Sequence, residues 1–599
     1  MKVLEAYGPD ANRLIKDRHF ALGYQSRWSV PEEVGETQPL IDRTSQQWFA
    51  FFGRIDNREA LLSMLPAVDT TTISDAKLLL AYLQAYGETG LNAVIGPFVF
   101  VWFDLQRQRV LAARDAMGGR ALFYHLDDEH LVIATSELAL IAHGAVPFEL
   151  NEAKLGRLFV GEMDVEPTSV INSVTVLKPG QLLSVELDAH SVSRFYQPPD
   201  LNFKGWSDLD YAREFRRLLK QATQRRMRAI GQVGTMLSGG LDSVPMTICA
   251  AEEADSDVDA YSWVFDAYPE ADERRYSREI CRDLNLTQHE ILCDDLWPSF
   301  DDSMYVNPTL PVGTPYSEFQ QATFRRAKAH GVSVLLTGIH GDLLYESTHG
   351  LLYGLVRQGR WRDASSELWR LWRAVPQSWL VVKYYLLLPI PWVARMSAWR
   401  KRRRYCAHPG LQAEFAVQSG LQQSQAHWLT EEGKAKARPE QWQVVMDHFA
   451  GEDMAYGRVM EAKFGIERRY PYRDRNLCEF MLSVPSDQLY FNGVKRPIVK
   501  RAFSDELPDV ILHRNNKTSF NAVIDAGIQR DFQSNPWFDD AVKEWHRFVR
   551  PDFFYDLSPE NSKNNLLRWR CAYYDYWKSV CYNRLICELG QIDNDNESL

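Results

Sequence analysis

The stretch Ser238-Gly239-Gly240-Leu241-Asp242-Ser243 constrains this chain more than any other. It follows a strand-like apolar run at 233–237 and precedes a helix-like run at 244–251. A strand that feeds a Gly-rich turn into a helix N-terminus builds an anion cradle. Glycine lets the backbone come close, and the free N–H groups and the helix dipole favour phosphate. The Gly-x4-Gly-Lys-Ser/Thr spacing of the Walker loop is absent. A serine–glycine turn can punctuate any α/β domain. Here an acid and two hydroxyls stand in the turn as well, so a pyrophosphate site is the expectation.

Beyond about residue 200, strand and helix patterns alternate. The run 258–264 predicts a strand, 271–284 a helix, 288–292 a strand, 319–330 a helix and 332–336 a strand. Such alternation predicts a doubly wound parallel sheet, whose ligands lie beyond the carboxyl ends of its strands. The run 332–336 ends in Thr337-Gly338-Ile339-His340-Gly341-Asp342, at the sheet end where the first turn also lies.

These two turns carry a family resemblance. Ser-Gly-Gly-x-Asp-Ser resembles the PP-loop of ATP pyrophosphatases, which split ATP into AMP and pyrophosphate to activate a carboxyl or amide oxygen. The segment 337–342 resembles the second nucleotide loop of asparagine synthetases. The resemblance implies that Leu237, Ser238, Gly239, Gly240, Asp242, Ser243 and Gly338 hold ATP, and that Asp242 and Asp342 hold Mg²⁺. Mg²⁺ suits one or two carboxylates plus phosphate oxygens. Asp342 alone reads equally as a helix cap.

Two further segments extend the resemblance. Phe464-Gly465-Ile466-Glu467-Arg468-Arg469-Tyr470-Pro471-Tyr472-Arg473-Asp474 is similar to the family's Gly-x-Glu-x-Arg-x-Pro stretch. In β-lactam synthetase-like members the matching Glu and a Tyr deprotonate the attacking amine. Glu467 takes the Glu position, as catalytic base, while the Tyr position falls on Ile339, where asparagine synthetases carry Glu. The alternative for Glu467 is a salt bridge to a neighbouring arginine. The run 510–517, following the family's basic helix at Lys495 to Phe503, places Lys517 to neutralise the departing pyrophosphate. An isolated Lys would otherwise be a solvated surface charge.

The first 200 residues resemble the glutaminase half of asparagine synthetases, an N-terminal-nucleophile (Ntn) hydrolase-like α/β/β/α sandwich. The signals are strand-like runs at 48–52, 99–104 and 110–113, with Gly53 to Arg58, Arg114-Asp115 and Gly118 to Tyr124 around them. The family's nucleophile is a Cys after the initiator Met. Here position 2 is Lys2, and all eight cysteines lie from Cys249 onward. The family's Asn-Gly oxyanion pair is Phe52-Gly53, and Phe cannot donate to an oxyanion. Asp75 matches the glutamine-amine contact, though it also fits a helix cap. The expectation is a degenerate domain that keeps the fold and has lost glutamine hydrolysis.

The organisation expected is therefore residues 1–200 as the degenerate glutaminase-like domain and 201–599 as the synthetase domain. Pro198-Pro199 marks the boundary, and Ser207 with Asp210 starts a helix. Residues of about 345–455 read as a helical insertion holding Trp361, Trp369, Trp372, Trp379, Trp392 and Trp399 and the run Lys401 to Arg404. A lid, a membrane-surface helix and a peptide-binding surface all fit it. Charged and proline residues interrupt its apolar stretch, which argues against a membrane span. Aromatic residues after Phe554 predict a packed C-terminal helix.

Composition sets the remaining bounds. A net charge of −11 over 599 residues argues against a nucleic-acid partner. Few cysteines and no Cys-x-x-Cys pair argue against a disulfide framework or a zinc site. The N-terminus lacks an apolar signal core, so the expected location is the cytoplasm. Without glutamine-derived ammonia, the nucleophile is an amine of the substrate. β-Lactam synthetases and lasso-peptide cyclases have this layout. The aromatic, basic insertion is more similar to the cyclases, which adenylate an Asp or Glu side chain of a peptide for attack by its own N-terminal amine. That resemblance implies a peptide substrate and a precursor-processing protease as partners. An ammonia- or glutamine-using asparagine synthetase is the rival reading.

Overall fold

The computed structural model describes residues 2–18, 20–66, 73–161, 168–187, 189–199, 201–253, 258–301, 304, 306–345, 351–357, 359–374, 410–419, 441–442, 445–446, 449, 453–514, 518–538, 543–556 and 564–582. Strands β1 (Ala11–Lys16) and β2 (Ala21–Ser26) form a hairpin. An antiparallel sheet follows, built from β3 (Leu40–Asp42), β4 (Gln47–Gly53), β5 (Phe98–Asp104) and β6 (Arg109–Arg114). A smaller sheet holds β7 (Phe123–Leu126), β8 (Leu131–Ala134) and β9 (Thr175–Val176). Strands β10 (Gln181–Glu186) and β11 (Ala189–Arg194) return to complete the first sheet at six strands.

Side-chain alternation makes this half a sandwich. Along β4 and β5, Phe49, Phe51, Phe98, Phe100 and Trp102 join one buried cluster with Leu78, Leu79 and Leu83 of the helix Asp75–Tyr86. The intervening Val99 and Val101 face the other way, packing with Leu122, Tyr124 and Ile133 of the smaller sheet. A two-residue period puts one apolar set on each face, which is what a sheet covered on both sides requires. The smaller sheet is covered by Leu140 and Ile141 of the helix Glu137–Ile141. The layers run helix, sheet, sheet, helix, as expected.

The second half is a five-stranded sheet in the order β14-β13-β12-β15-β16. Its strands are β12 (Gln232–Met236), β13 (Asp259–Val264), β14 (Gln288–Leu292), β15 (Val332–Leu336) and β16 (Glu467–Arg469), all paired in parallel. The helices Asp208–Met227 and Ser243–Glu253 belong to the core cluster on one side, with Phe215, Leu219, Val244 and Ile248. Phe324 and Ala327 of the helix Ser317–Ala329 pack on the other side with Tyr261, Val332 and Leu335. The doubly wound fold is thus observed. Its fifth strand, β16, lies in a segment the sequence reading took as a motif rather than a strand. Ser207 caps the first helix with Asp210 in the expected capping box.

In the insertion, helices at Leu351–Arg357, Trp361–Ala374 and Ala413–Gln418 are described. Trp361, Trp369 and Trp372 are exposed on the second of these. Trp379, Trp392, Trp399 and the basic run 401–404 lie outside the described residues. The C-terminal helix Asn565–Trp577 is packed as expected, with Trp569, Tyr573 and Trp577 in a cluster that reaches Leu155 and Phe159 of the first half. Among the described residues, no helix is long and apolar enough to cross a membrane.

Candidate active site

The turn after β12 closes on itself through its hydroxyls. The Ser238 N–H donates to Ser243 Oγ at 3.1 Å, and the two serine Oγ atoms are 3.1 Å apart. Gly239 has φ +70°, and a Cβ there would stand 2.4 Å from Tyr276 Cβ. Only glycine serves both constraints.

The second turn, after β15, is pressed against the first. A Cβ on Gly338 would approach the Ser243 nitrogen to 2.8 Å, and one on Gly341 would reach Asp242 Oδ1 at 2.6 Å. The adjacent parallel strands β12 and β15 bring both turns to one sheet end, the carboxyl end where open α/β sheets bind their ligands. Together they wall a cleft of about 420 Å³, lined by residues 236–243, Thr337, Gly338 and Ile339, and by Lys495, Arg496 and Arg514 from the C-terminal part. That volume falls in the range of small-molecule sites. Leu237, Ser238, Gly239, Gly240, Asp242, Ser243 and Gly338 are all brought to it.

Two cations dress the first turn. Arg496 Nη1 donates to Asp242 Oδ1 at 2.8 Å, with its guanidinium 5.1 Å from the Tyr345 ring. Arg496 itself has φ +55°, an uncommon conformation for a side-chain-bearing residue. Arg514 Nη1 donates to the Gly239 carbonyl at 3.2 Å and Nη2 to Glu273 at 2.6 Å, while its plane lies 4.3 Å from the Tyr276 ring. The Tyr472 hydroxyl donates to the Asp242 carbonyl at 2.7 Å. Sequence reasoning passed over Arg496 and Arg514 as site residues, although both lie inside motif runs it had singled out. Which cation of a basic run faces the turn is settled by backbone twist and aromatic stacking.

Asp342 starts the helix Gly341–Tyr345, one residue after the contact with Asp242, and its Oδ1 accepts from the Leu343 N–H at 3.0 Å. It is half-buried and is not among the described residues that line the cleft. Asp242, in contrast, lines the cleft with its side chain partly exposed. Of these two acids only Asp242 stands on the cleft wall, and Mg²⁺ bound with phosphate takes one or two carboxylates. Among the described residues, no cluster of three or more His, Cys, Asp or Glu forms an all-protein metal cage. Lys517 lies outside the described residues, while its neighbours Arg514 and Thr518 line the cleft.

Glu467 departs from its expected role. It opens β16 in register with Val334, so it stands inside the sheet rather than beyond its carboxyl end. It is 3% exposed, does not line the nucleotide cleft and accepts from Arg120 and Arg469. Burial alone would raise its pKa, but Arg469 and Arg120 outweigh this and hold it well below the usual carboxylate range. A carboxylate so clamped is a weak base. The structure corresponds to the salt-bridge reading, with the pair buried rather than on the surface.

The matching positions of the first half are also filled. Asp75 is fully buried. Its Oδ2 accepts from the Ile55 N–H at 2.9 Å and from Arg228 at 2.6 Å, and its Oδ1 from Arg58. Ser74, not Asp75, caps the helix. Phe52 lies under two guanidinium groups, Arg120 at 4.9 Å and Arg458 at 5.4 Å from its ring centre. Arg228 and Arg458 come from the second half, so that half covers Asp75 and Phe52.

A cleft built from a Ser-Gly-Gly-x-Asp-Ser turn on a doubly wound sheet, attached to an α/β/β/α sandwich, defines an ATP-dependent carbon–nitrogen ligase that forms AMP and pyrophosphate. Residues 214–579 match the asparagine synthase family and residues 1–196 the glutamine amidotransferase domain family. The chain belongs to the asparagine synthase family, whose enzymes use ATP with Mg²⁺. It is 22% identical to the glutamine-hydrolyzing asparagine synthetase 3 of Bacillus subtilis, over 91% of this chain and 86% of that one. It is 20% identical to asparagine synthetase 1 of the same organism, over 96% and 92%. It is also 24% identical to the amidase chyE of Penicillium rubens, over 56% of this chain and 52% of that protein.

Proposed function

We propose that this ligase makes an amide without glutamine-derived ammonia, by adenylating a carboxylate and presenting it to an amine carried by its own substrate. The observation that carries the reading is the Asp75 carboxylate, whose acceptor positions are taken by Arg58, by both Nη atoms of Arg228 and by the Ile55 N–H, so that none is left for a glutamine amine. In the first step a substrate carboxylate oxygen attacks the α-phosphorus of ATP and pyrophosphate leaves. The N–H groups of Gly239 and Gly240 and the Ser238 and Ser243 hydroxyls bind the phosphates. Arg514, beside the Gly239 carbonyl, meets the charge that develops on pyrophosphate, and Lys517 is assigned the same task. Asp242 and Asp342 would hold Mg²⁺, which when bound neutralises phosphate charge. In the second step the amine attacks the acyl carbon, the acyl–oxygen bond breaks as AMP leaves, and the proton lost by the amine passes to solvent; holding both groups in one site supplies the proximity.

The substrate we propose is a precursor peptide. An Asp or Glu side chain is activated, and the peptide's N-terminal amine closes a macrolactam, as in lasso-peptide cyclases. Ile339 supports a partly apolar substrate: it lines the cleft and is 45% exposed where asparagine synthetases carry Glu. Exposed Trp361, Trp369 and Trp372 suit docking of the peptide or of a precursor-processing protease. The work would be done in the cytoplasm. The rival, amidation of free aspartate, is favoured by the asparagine synthetase names of the relatives.

The test supplies ATP with either a synthetic precursor peptide bearing one internal Asp or Glu, or free aspartate with ammonia. AMP release and loss of one water from the peptide are expected with the first alone. AMP release with aspartate and ammonia, and none with peptide, would replace this reading by the rival.

A further inference from the structure

We infer that the junction of the two halves binds a small inorganic anion, held by Arg54 and Arg120 of the first half and Arg469 and Arg473 of the second. These residues line a small, partly open cavity of about 30 Å³. A water molecule needs roughly 10–15 Å³ measured this way, so the space suits a halide and excludes a nucleotide or pyrophosphate.

Charge decides between an anion and water. Seven arginines line the cavity against two carboxylates, Asp115 and Glu467. Both acids are already engaged. Asp115 accepts from the main-chain N–H groups of Phe98, Met117 and Arg120. Glu467 accepts from Arg120 and Arg469. Behind the wall Asp56 pairs with Arg54, Asp474 with Arg226, Glu461 with Arg468 and Glu479 with Arg475, so the seven arginines face six acids in all and the excess is one positive charge, that of a single halide.

The arginines keep unsatisfied donors. Arg54 is 1% exposed and its Nη1 has no hydrogen-bond partner; Arg120 is 8% exposed and its Nε has none. Arg473 directs Nε and Nη2 at the carbonyls of Met117, Gly118 and Phe449. Buried donors of charged groups are costly when unmade, and buried like charges repel. Arg469 registers that repulsion. Burial lowers its pKa to about 10 despite Glu467, and Arg54 and Arg120 push in the same direction. Water could take the N–H bonds but would leave the charge excess in place. A halide answers both.

The experiment uses the full chain. Melting midpoints are measured in chloride and in gluconate, which is too large for the cavity, at equal ionic strength. A crystal soaked in bromide is examined by anomalous scattering. A saturable midpoint rise of about 2 °C or more in chloride, and an anomalous peak between Arg54 and Arg120, are expected. Arg54→Met should abolish the chloride-dependent part of the midpoint. Equal midpoints in both salts, with water alone in the bromide map, would overturn the inference. The map is made on the unaltered protein, so the test stands even if Arg54→Met fails to fold.

Discussion

The cleft after β12 and the junction around Glu467 use the same materials for opposite ends. Both gather arginines, carboxylates and glycine-tight turns. In the cleft, Asp242, Lys495, Arg496 and Arg514 line open space of about 420 Å³. At the junction, Glu467, Asp75 and their arginines meet one another in a buried surface that leaves room for no more than a small ion. A polar group serves a ligand where the fold leaves room in front of it, and serves the fold where its partners are already in place. Residue type and motif spacing alone do not separate the two cases.

The largest effect that could break this contrast is at Glu467. Glu467→Gln leaves Arg120 and Arg469 buried without their counter-charge. Removing one partner of a buried pair costs about 3–5 kcal/mol, so the melting midpoint should fall sharply. Glu467→Gln combined with Arg120→Met should recover part of the loss. An unchanged midpoint together with amide closure slowed by about 10² to 10⁴ would restore Glu467 as the base. Acid sensitivity sharpens the same point. A carboxylate with a depressed folded pKa contributes stability that is fully present above its unfolded value of about 4.3 and is lost as pH falls through the folded value. The unaltered protein should therefore lose stability below about pH 4, and the Gln variant should lack that component of the acid profile.

Next comes the cleft. Asp242→Asn should lower pyrophosphate release by about 10² to 10³, the scale seen when one charge-stabilising group is removed, with a small change in midpoint. Full activity would mean that the cleft is not the nucleotide site. A smaller effect belongs to Lys517→Ala. Losing one charge-assisted contact of about 1.5–3 kcal/mol should slow adenylation by about 10- to 100-fold, and normal pyrophosphate release would return Lys517 to a solvated surface charge. The smallest expected effect is none at all. Glutamine should yield no glutamate above a no-enzyme control, because Asp75 and Phe52 are covered by arginines of the other half. Measurable glutaminase activity would show that this surface opens.

Much of this was legible in the chain. The alternation after residue 200 predicted β13, β14 and β15 with the right order and type, because a buried parallel strand needs a continuous apolar run. The apolar runs at 48–52 and 99–104 predicted strands where β4 and β5 lie. The turn at 238–243 predicted a phosphate cradle because glycine, hydroxyl and acid at that spacing have few other uses. β16 was missed, since Glu467-Arg468-Arg469 carries no apolar signal. Three charged residues can form a buried edge strand only when other charges are waiting for them.

What the sequence determined by itself is local chemistry: where the backbone must turn, which faces are apolar, and which turn could cradle a phosphate. These depend on contacts a few residues apart. What only the tertiary structure decided is where charge goes. Arg120 and Glu467 are 347 residues apart in the chain, and Arg228 meets Asp75 across 153. Whether a carboxylate is a base, a metal ligand or half of a buried ion pair depends on which cation arrives and on whether space remains. Long-range packing fixes both, and no local pattern encodes them.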